Sequence, residues 1–231
     1  MESHLFDDIN FFPSKMRTLI LGTFPIPLYT NKKMFEKLSL YEKQNAWYYS
    51  SKRSEFWKII AESFDIDYKN DDFLFNKSKK KEIFKKNKIG VADVFLKCKR
   101  KKEESSKDTD LIIIEYNNIL SEIINNDDLN LIIFTSRFTE NNFFKILHNN
   151  NINYEKKYSK EAYEYYNKGF NDIGITNDII NALRESYLYI NNKKIKVSTV
   201  TLKISPVKGV SLYSVKREIY RYYLKNNKES H

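Results

Sequence analysis

The chain has 231 residues, of which 41% are hydrophobic and 15% aromatic, and its formal net charge is +10. This composition excludes a disordered chain and favours one folded domain over 1–231, leaving open an insertion around 150–192. The sequence has no apolar run of about 18 residues and no leader-like N-terminal segment, so we expect neither a membrane span nor a signal peptide. It has one cysteine, Cys98, so we expect no disulfide. A cytoplasmic location is the default expectation.

Short apolar strands alternate with amphipathic helices along the chain. Strands are predicted at 17–23, 89–96, 129–136 and 194–204, because each is a short apolar run. Helices are predicted at 54–64, 77–87, about 111–124, 139–149, and 214–226, with weaker signals at 32–40 and 176–187 and a loop over 97–109. This order predicts a three-layer α/β/α sandwich with a central, mostly parallel four-stranded sheet.

The excess positive charge lies in one segment, 77–102, which carries twelve Lys or Arg residues against Glu82 and Asp93. A phosphate-binding face for nucleic acid is one interpretation. A solvated lysine-rich surface that reflects codon bias is an equal alternative, and an anionic membrane surface is a weaker third because no apolar face accompanies the lysines.

Ligand sites in parallel sheets form outside the carboxyl ends of the strands. Four predicted loops leave those ends, at 22–28, 93–108, 134–138 and 205–211. In the first, "GTFP", Gly22 permits close approach of the backbone, Pro25 stiffens the loop and Phe24 could stack on a planar ligand. Alone, an ordinary turn in which Phe24 caps the core would be preferred. The last loop, "ISPVKG", repeats the pairing of proline with glycine, and together the loops indicate a pocket that holds a base and a backbone.

Several kinds of chemistry are excluded by motif. The three histidines, His4, His148 and His231, are scattered, and His148 is expected to be a capping or surface residue. No metal-ligand spacing, phosphate-binding glycine loop, dinucleotide fingerprint or nucleophile elbow is present, so no metal and no cofactor are expected. Any catalysis must then use carboxylates, hydroxyls, backbone N–H groups and lysines.

Five short motifs follow one another in order over about 17–215: "LILGTFP", "YYSSKRSEFWKII", "GVADVFLKCKRKKEESSKDTDL", "LIIFTSRF" and "ISPVKG". Together they resemble the uracil-DNA glycosylase superfamily, and most closely its hypoxanthine (deoxyinosine) DNA glycosylase branch. The residues that match the family pattern are Gly22, Pro25, Tyr48, Tyr49, Arg53, Phe56, Trp57, Gly90, Asp93, Val94, Cys98, Arg100, Ser105, Ser106, Asp108, Ser205 and Pro206.

The resemblance implies a monomeric, monofunctional DNA N-glycosylase that flips a deaminated or modified base, such as uracil or hypoxanthine, and removes it with water. Catalytic roles would fall on Thr23, Ser54, Glu55 and Asp93. Base-binding roles would fall on Gly22, Phe24, Pro25, Tyr49 and Asp93. Contacts with single- or double-stranded DNA would fall on Arg53, Lys97, Arg100, Lys101, Lys102, Ser205, Pro206 and Lys208. An alternative for Asp93 is a loop cap that binds local N–H groups.

The sequence departs from the family pattern at a position that matters for activity. Ser54 replaces an Asn important for catalysis; it could orient water, leave the role to Glu55, or serve only as a helix N-cap. Phe24 and Ile26 are larger than the family's residues, which would alter the choice of base. A histidine found near the Ser-Pro loop in some branches is absent. A non-catalytic or degenerate nucleic-acid-binding protein on the same scaffold is therefore the alternative function, and a small-molecule α/β enzyme is a third.

Overall fold

The computed structural model describes residues 1–51, 54–69, 72–158, 185–200 and 212–226. The strands are β1 (Glu2–Ser3), β2 (Asn10–Phe11), β3 (Thr18–Gly22), β4 (Ile89–Asp93), β5 (Phe95–Arg100), β6 (Leu111–Tyr116), β7 (Leu131–Phe134), β8 (Tyr154–Tyr158), β9 (Ser186–Ile190) and β10 (Lys193–Thr199). The helices are α1 (Lys32–Glu36), α2 (Leu40–Gln44), α3 (Phe56–Ser63), α4 (Lys77–Lys86), α5 (Leu120–Asn125), α6 (Arg137–Asn149) and α7 (Leu212–Asn226).

The main sheet has seven strands in the order β2-β4-β3-β7-β10-β9-β8. Its four middle strands, β4, β3, β7 and β10, are mutually parallel and correspond to the four predicted strands. The other three, β2, β8 and β9, add antiparallel pairs at the two edges. The prediction of a mixed α/β fold whose sheet contains parallel strands is confirmed, and the predicted count of four strands is wrong because the sheet has seven. The missed edge strands are short or polar, so they lack the apolar run on which the prediction depended.

Two hydrophobic cores cover the two faces of this sheet. Alternate residues of β3 point to opposite faces, so Ile20 joins one core whereas Leu19 and Leu21 join the other. Helices α3, α4 and α7 supply side chains to the first core. Helices α5 and α6 supply the second. The described residues thus form the three layers expected of a sheet buried on both faces.

Two strands of a second, three-stranded sheet lie largely where a loop (97–109) and a helix (111–124) were predicted. This sheet has the order β1-β5-β6, with both pairs antiparallel. The predicted loop 97–109 therefore begins as strand β5, and the predicted helix 111–124 is strand β6 followed by the shorter α5. The "LIII" run at 111–114 is rich in β-branched residues, and its buried Leu111 and half-buried Ile113 alternate with two exposed isoleucines, which suits an antiparallel strand. The single cysteine, Cys98, is free and buried in this sheet.

The remaining helix predictions agree with the structure at four places, which are α3, α4, α6 and α7. Helix α4 is capped by Asn76 and ends at Asn87, and α6 is capped by Ser136. The final helix, α7, spans the predicted 214–226. The predicted helix at 176–187 falls mostly outside the described residues, and its last two positions belong to β9. Helices within the described ranges are too short or too polar to cross a membrane.

Lys80 of α4 is a fully buried lysine. Its ammonium group lies 3.0 Å from the Ser50 hydroxyl and over the Trp57 ring. Burial lowers the pKa of Lys80 from 10.5 to about 7. Between these two values the unfolded chain binds more protons at this position than the folded chain does. As the pH rises from 7 towards 10, the contribution of Lys80 to the free energy of unfolding therefore increases.

Replacing Lys80 with methionine should remove this pH dependence and stabilise the protein at neutral pH. We expect the free energy of unfolding of the wild type to rise with pH relative to that of Lys80→Met, by a slope approaching about 1.4 kcal/mol per pH unit. Urea unfolding at pH 7, 8 and 9 measures the slope. Lys86→Met, at an exposed position of the same helix, is the matched control. Parallel curves for the wild type and Lys80→Met would contradict the prediction.

Candidate active site

Three of the four predicted loops meet at the carboxyl ends of the central strands of the main sheet. Gly22 ends β3 and pairs directly with Asp93, which ends β4. β7 pairs with β3 on its other side, and Thr135 follows it; the Thr135 hydroxyl donates to the Leu21 carbonyl at 3.2 Å. The fourth loop, with Ser205, Pro206 and Lys208, lies outside the described residues. Parallel strands thus bring a glycine, a carboxylate and a hydroxyl to one place.

Asp93 is a buried carboxylate with 3% of its surface exposed. One of its carboxylate oxygens, Oδ2, lies 3.0 Å from Nε2 of His4. Its backbone carbonyl accepts a hydrogen bond from the Asn117 side chain at 2.8 Å, and Asn117 in turn exchanges hydrogen bonds with Asn10. The residue is therefore fixed through both its main chain and its side chain, and the carboxylate has a defined direction.

Gly22 is required by the packing around Asp93. A Cβ atom at this position would lie 2.1 Å from Oδ1 of Asp93 and 2.5 Å from the Tyr49 hydroxyl. Both distances are far below van der Waals contact, so any side chain would displace these groups. The glycine is thus explained by the close approach of two polar side chains to the backbone.

Tyr49 brings a hydroxyl to the same place from outside the sheet. Its backbone has φ of 53°, the left-handed region, and its ring packs 4.4 Å from that of Phe56. The hydroxyl donates to Oγ1 of Thr135 at 3.3 Å. Burial, and then the charge of Asp93, raise the pKa of Tyr49 well above its usual value. The group is consequently a neutral hydrogen-bond donor at any physiological pH.

The Thr23 hydroxyl lies in a cluster of polar side chains at the start of α6. Its Oγ1 is 2.7 Å from that of Thr139, 3.2 Å from the Asp108 carboxylate and 3.4 Å from the Ser136 hydroxyl. Ser136 also bonds Asp108 and Thr139, at 3.3 and 2.9 Å. Thr23, predicted as catalytic, is therefore held by a carboxylate and two hydroxyls. Of these, Asp108 and Ser136 lie in motifs that carry the resemblance, and no role had been predicted for either.

Arg100 holds the Phe24–Pro25 loop. Only 2% of its side chain is exposed, and the guanidinium lies 5.7 Å from the centre of the Phe24 ring. It donates to the Pro25 carbonyl, to the Ser105 carbonyl at 2.7 Å and to the Glu2 carboxylate at 2.9 Å. With its donors directed inward, Arg100 acts in this structure on the loop. The predicted contact with a DNA phosphate would require these bonds to break.

Ser54 and Glu55, the other two residues predicted as catalytic, have different neighbours. The Ser54 hydroxyl accepts a hydrogen bond from the Phe56 N–H at 3.3 Å, and Glu55 occupies the N-cap position of α3. Ser54 thus binds the first turn of α3 from the position before the N-cap, and Glu55 holds the N-cap position predicted for Ser54. The Glu55 carboxylate lies 3.3 Å from the ammonium group of Lys216 on α7. Within the described residues, no hydrogen bond or ion pair is seen between either side chain and Asp93.

The basic segment divides between two surfaces. Helix α4 packs on the first core, and three of its lysines pair with acids: Lys77 and Lys81 with Asp8, and Lys79 with Asp72. The second part follows Asp93 along β5, which packs on the other core. There Lys97 pairs with Glu115, whereas Lys101 and Lys102 are exposed. The exposed lysines that follow Asp93 in the chain are thus those of the β5–β6 hairpin. Arg53 lies outside the described residues.

His4 is the site residue that sequence reasoning missed. It was counted among scattered histidines, and no motif or periodicity connects it to Asp93, 89 positions away. His148, by contrast, is exposed in the last turn of α6, as predicted. Among the described residues no group of three or more His, Cys, Asp or Glu side chains could hold a metal ion. The groups present at this edge are a carboxylate, an imidazole and hydroxyls.

No protein-family model matches the chain. No curated protein sequence matches it either. Among solved structures, the chain is similar to the solution NMR structure of a "putative Uracil DNA glycosylase" from Methanosarcina acetivorans, with 21% identity, coverage of 65% of this chain and 80% of the other, and a TM-score of 0.42. A similarity of this size assigns neither an activity nor a substrate, so the function has to be argued from the site itself.

Proposed function

We propose that this protein is a DNA glycosylase that flips a deaminated or modified base out of DNA and removes it by hydrolysis. The observation that carries the proposal is the buried Asp93 carboxylate at the carboxyl end of a parallel strand, against Gly22 and the Tyr49 hydroxyl. The ordered sequence motifs support it, because two of them contain Gly22 and Asp93, the strand ends that pair in the sheet.

Hydrolysis of the bond between sugar and base needs few protein groups. The bond between C1′ of the sugar and the base nitrogen breaks, and the base leaves with the electron pair. Positive charge develops on the sugar, and a water oxygen then bonds to C1′. A fixed carboxylate stabilises the developing charge and accepts the proton that water releases. Asp93 has the required charge and fixed direction, and Tyr49 would donate a hydrogen bond to the departing base by turning its hydroxyl away from Thr135. Neither a metal nor a cofactor is needed for these steps.

Recognition is assigned to the surrounding loops. Phe24, Pro25 and Tyr49 would form the walls around the flipped base, where an aromatic ring can stack on it. Lys101 and Lys102 are exposed on the hairpin that follows Asp93 and would contact phosphates, while Arg100 keeps the Phe24–Pro25 loop in place. Arg53, Ser205, Pro206 and Lys208 complete the proposed DNA contacts. The protein would act as a monomer.

A base-release assay tests the proposal directly. Oligonucleotides that each carry one uracil, hypoxanthine, xanthine or hydroxymethylated base are incubated with the purified chain. Alkaline cleavage reports abasic sites, and mass spectrometry identifies the released base. We expect release from at least one substrate, with no cleavage before the alkali step. If no substrate loses its base, the glycosylase proposal is wrong.

A non-catalytic DNA-binding protein is the second candidate, and one observation favours it. The Ser54 hydroxyl accepts a hydrogen bond at the start of α3, and Glu55 is paired with Lys216, so the position of the family's catalytic Asn is used structurally here. This candidate predicts DNA binding that weakens steeply with salt, without base release. Absence of binding even at low salt would instead favour a small-molecule enzyme.

A further inference from the structure

The imidazole of His4 is buried beside the Asp93 carboxylate. Its Nε2 lies 3.0 Å from Oδ2, and the exposed fractions of the two side chains are 1% and 5%. The rings of Phe6 and Phe24 meet the imidazole edge-on, at 5.4 and 5.2 Å between centroids. The carboxylate and the imidazole therefore face each other in an aromatic environment that excludes water, where a hydrogen bond is stronger than in solution.

The hydrogen-bond pattern selects one form of His4. The other ring nitrogen, Nδ1, is buried and has no hydrogen-bond partner within the described part of the chain. A proton on Nδ1 would be an unsatisfied buried donor, which costs more than an unpaired lone pair on a neutral ring. The tautomer with its proton on Nε2 satisfies this geometry, so His4 donates and Asp93 Oδ2 accepts.

The segment that carries His4 is held firmly in place. β1 pairs antiparallel with β5, joining Glu2 to Cys98. The Glu2 carboxylate accepts from Arg100 at 2.9 Å and from the Thr30 hydroxyl. Beyond His4, the Leu5 N–H donates to the Tyr29 carbonyl at 3.0 Å. The imidazole is therefore anchored on both sides of its own position in the chain.

We propose that His4 is a positioning residue that fixes the Asp93 carboxylate for the reaction. The inference rests on the proposed glycosylase function. Because His4 occupies Oδ2, the other oxygen, Oδ1, takes the position beside the Gly22 backbone that a Cβ atom would otherwise fill. Oδ1 is the atom that stabilises C1′ and takes the proton of the attacking water. His4 itself gives up no proton and forms no covalent bond; it holds the carboxylate in one orientation.

Three substitutions separate this role from simple packing. His4→Gln places an amide N–H where Nε2 stood, whereas the side chain of His4→Asn reaches only to the position of Nδ1, and His4→Ala removes the donor. We expect His4→Ala and His4→Asn to lower the single-turnover rate of base release by about 10-fold or more, with DNA affinity unchanged. His4→Gln should retain most of the rate. His148→Gln, at the exposed histidine, is the matched control and should behave as the wild type.

A further measurement shows whether His4 acts through Asp93. In an Asp93→Asn background, His4→Ala should cause little additional loss of rate, because the two residues work as a unit. Thermal unfolding of every variant accompanies the kinetics. The inference is overturned if His4→Ala releases base as fast as the wild type, or if His4→Gln loses as much rate as His4→Ala. A wild type that releases no base from any substrate overturns the proposed function and this role with it, whereas an active wild type with unaffected His4 variants overturns only the role of His4.

Discussion

Asp93→Asn should lower the rate of base release by about 100- to 10,000-fold while leaving the fold intact. Asparagine has the same shape, and its amide oxygen can still accept the hydrogen bond from His4. The main-chain bond to Asn117 does not depend on the side chain. The substitution removes the negative charge that stabilises the cationic sugar, and it removes the group that takes a proton from water. Single-turnover kinetics with excess enzyme isolate this chemical step from DNA binding.

Asp128→Asn is the matched control for this experiment. Asp128 is exposed, far along the chain from β4, and its substitution removes the same charge from the protein as a whole. We expect its rate and its salt-dependent DNA affinity to equal those of the wild type. A rate for Asp93→Asn within a few-fold of the wild type would remove Asp93 from the mechanism, even if base release itself were established.

Gly22→Ala should reduce activity by about 100-fold and destabilise the fold by about 1–3 kcal/mol. The new methyl group would lie 2.1 Å from Asp93 Oδ1 and 2.5 Å from the Tyr49 hydroxyl. Neither group moves freely, since His4 binds Asp93 and Thr135 binds Tyr49. The carboxylate must rotate or the loop must shift, and either change removes the orientation that the reaction needs. Base-release rates and urea unfolding of the variant measure the two effects separately.

A second substitution distinguishes the two contacts at Gly22. Adding Tyr49→Phe to Gly22→Ala removes the hydroxyl that the methyl group would meet, so part of the lost stability should return. The contact with Asp93 remains, and activity should stay low. Full activity of Gly22→Ala, or a double variant as unstable as the single one, would show that the clash is relieved in another way.

The central strands could be predicted from the sequence because a strand buried on both faces is apolar along its whole length. This holds for β3, β4 and β7, each buried at every position. The edge strand β8, "YEKKY", has no such pattern, since most of it faces solvent. The run at 111–114 fits a helix or a strand equally well by hydrophobicity, and a helix was predicted. Its β-branched residues are the signal that would have indicated the strand.

The neighbourhood of Gly22 and Asp93 was also predictable, because the ends of parallel strands meet at one edge of a sheet. Their proposed roles stay predictions until activity is measured. His4 and the Thr139 hydroxyl could not be found in the same way, whereas Ser136 lies in the predicted loop 134–138. His4 reaches the site from the position just after a two-residue strand, and Thr139 from the first turn of a helix, so neither leaves a periodic pattern. The inward direction of Arg100 depends likewise on where Glu2 lies.

The pairing of β1 with β5 also bears on the order of folding. The contacts that complete the site join distant parts of the chain: 89 positions separate His4 from Asp93, and 98 separate Glu2 from Arg100. Closing such loops carries a large entropic cost, and contacts of this separation slow folding. During synthesis His4 emerges before Asp93 and lacks this partner until β4 and β5 have followed. Chemical competence is therefore expected to appear late in folding, after the local helices and hairpins have formed.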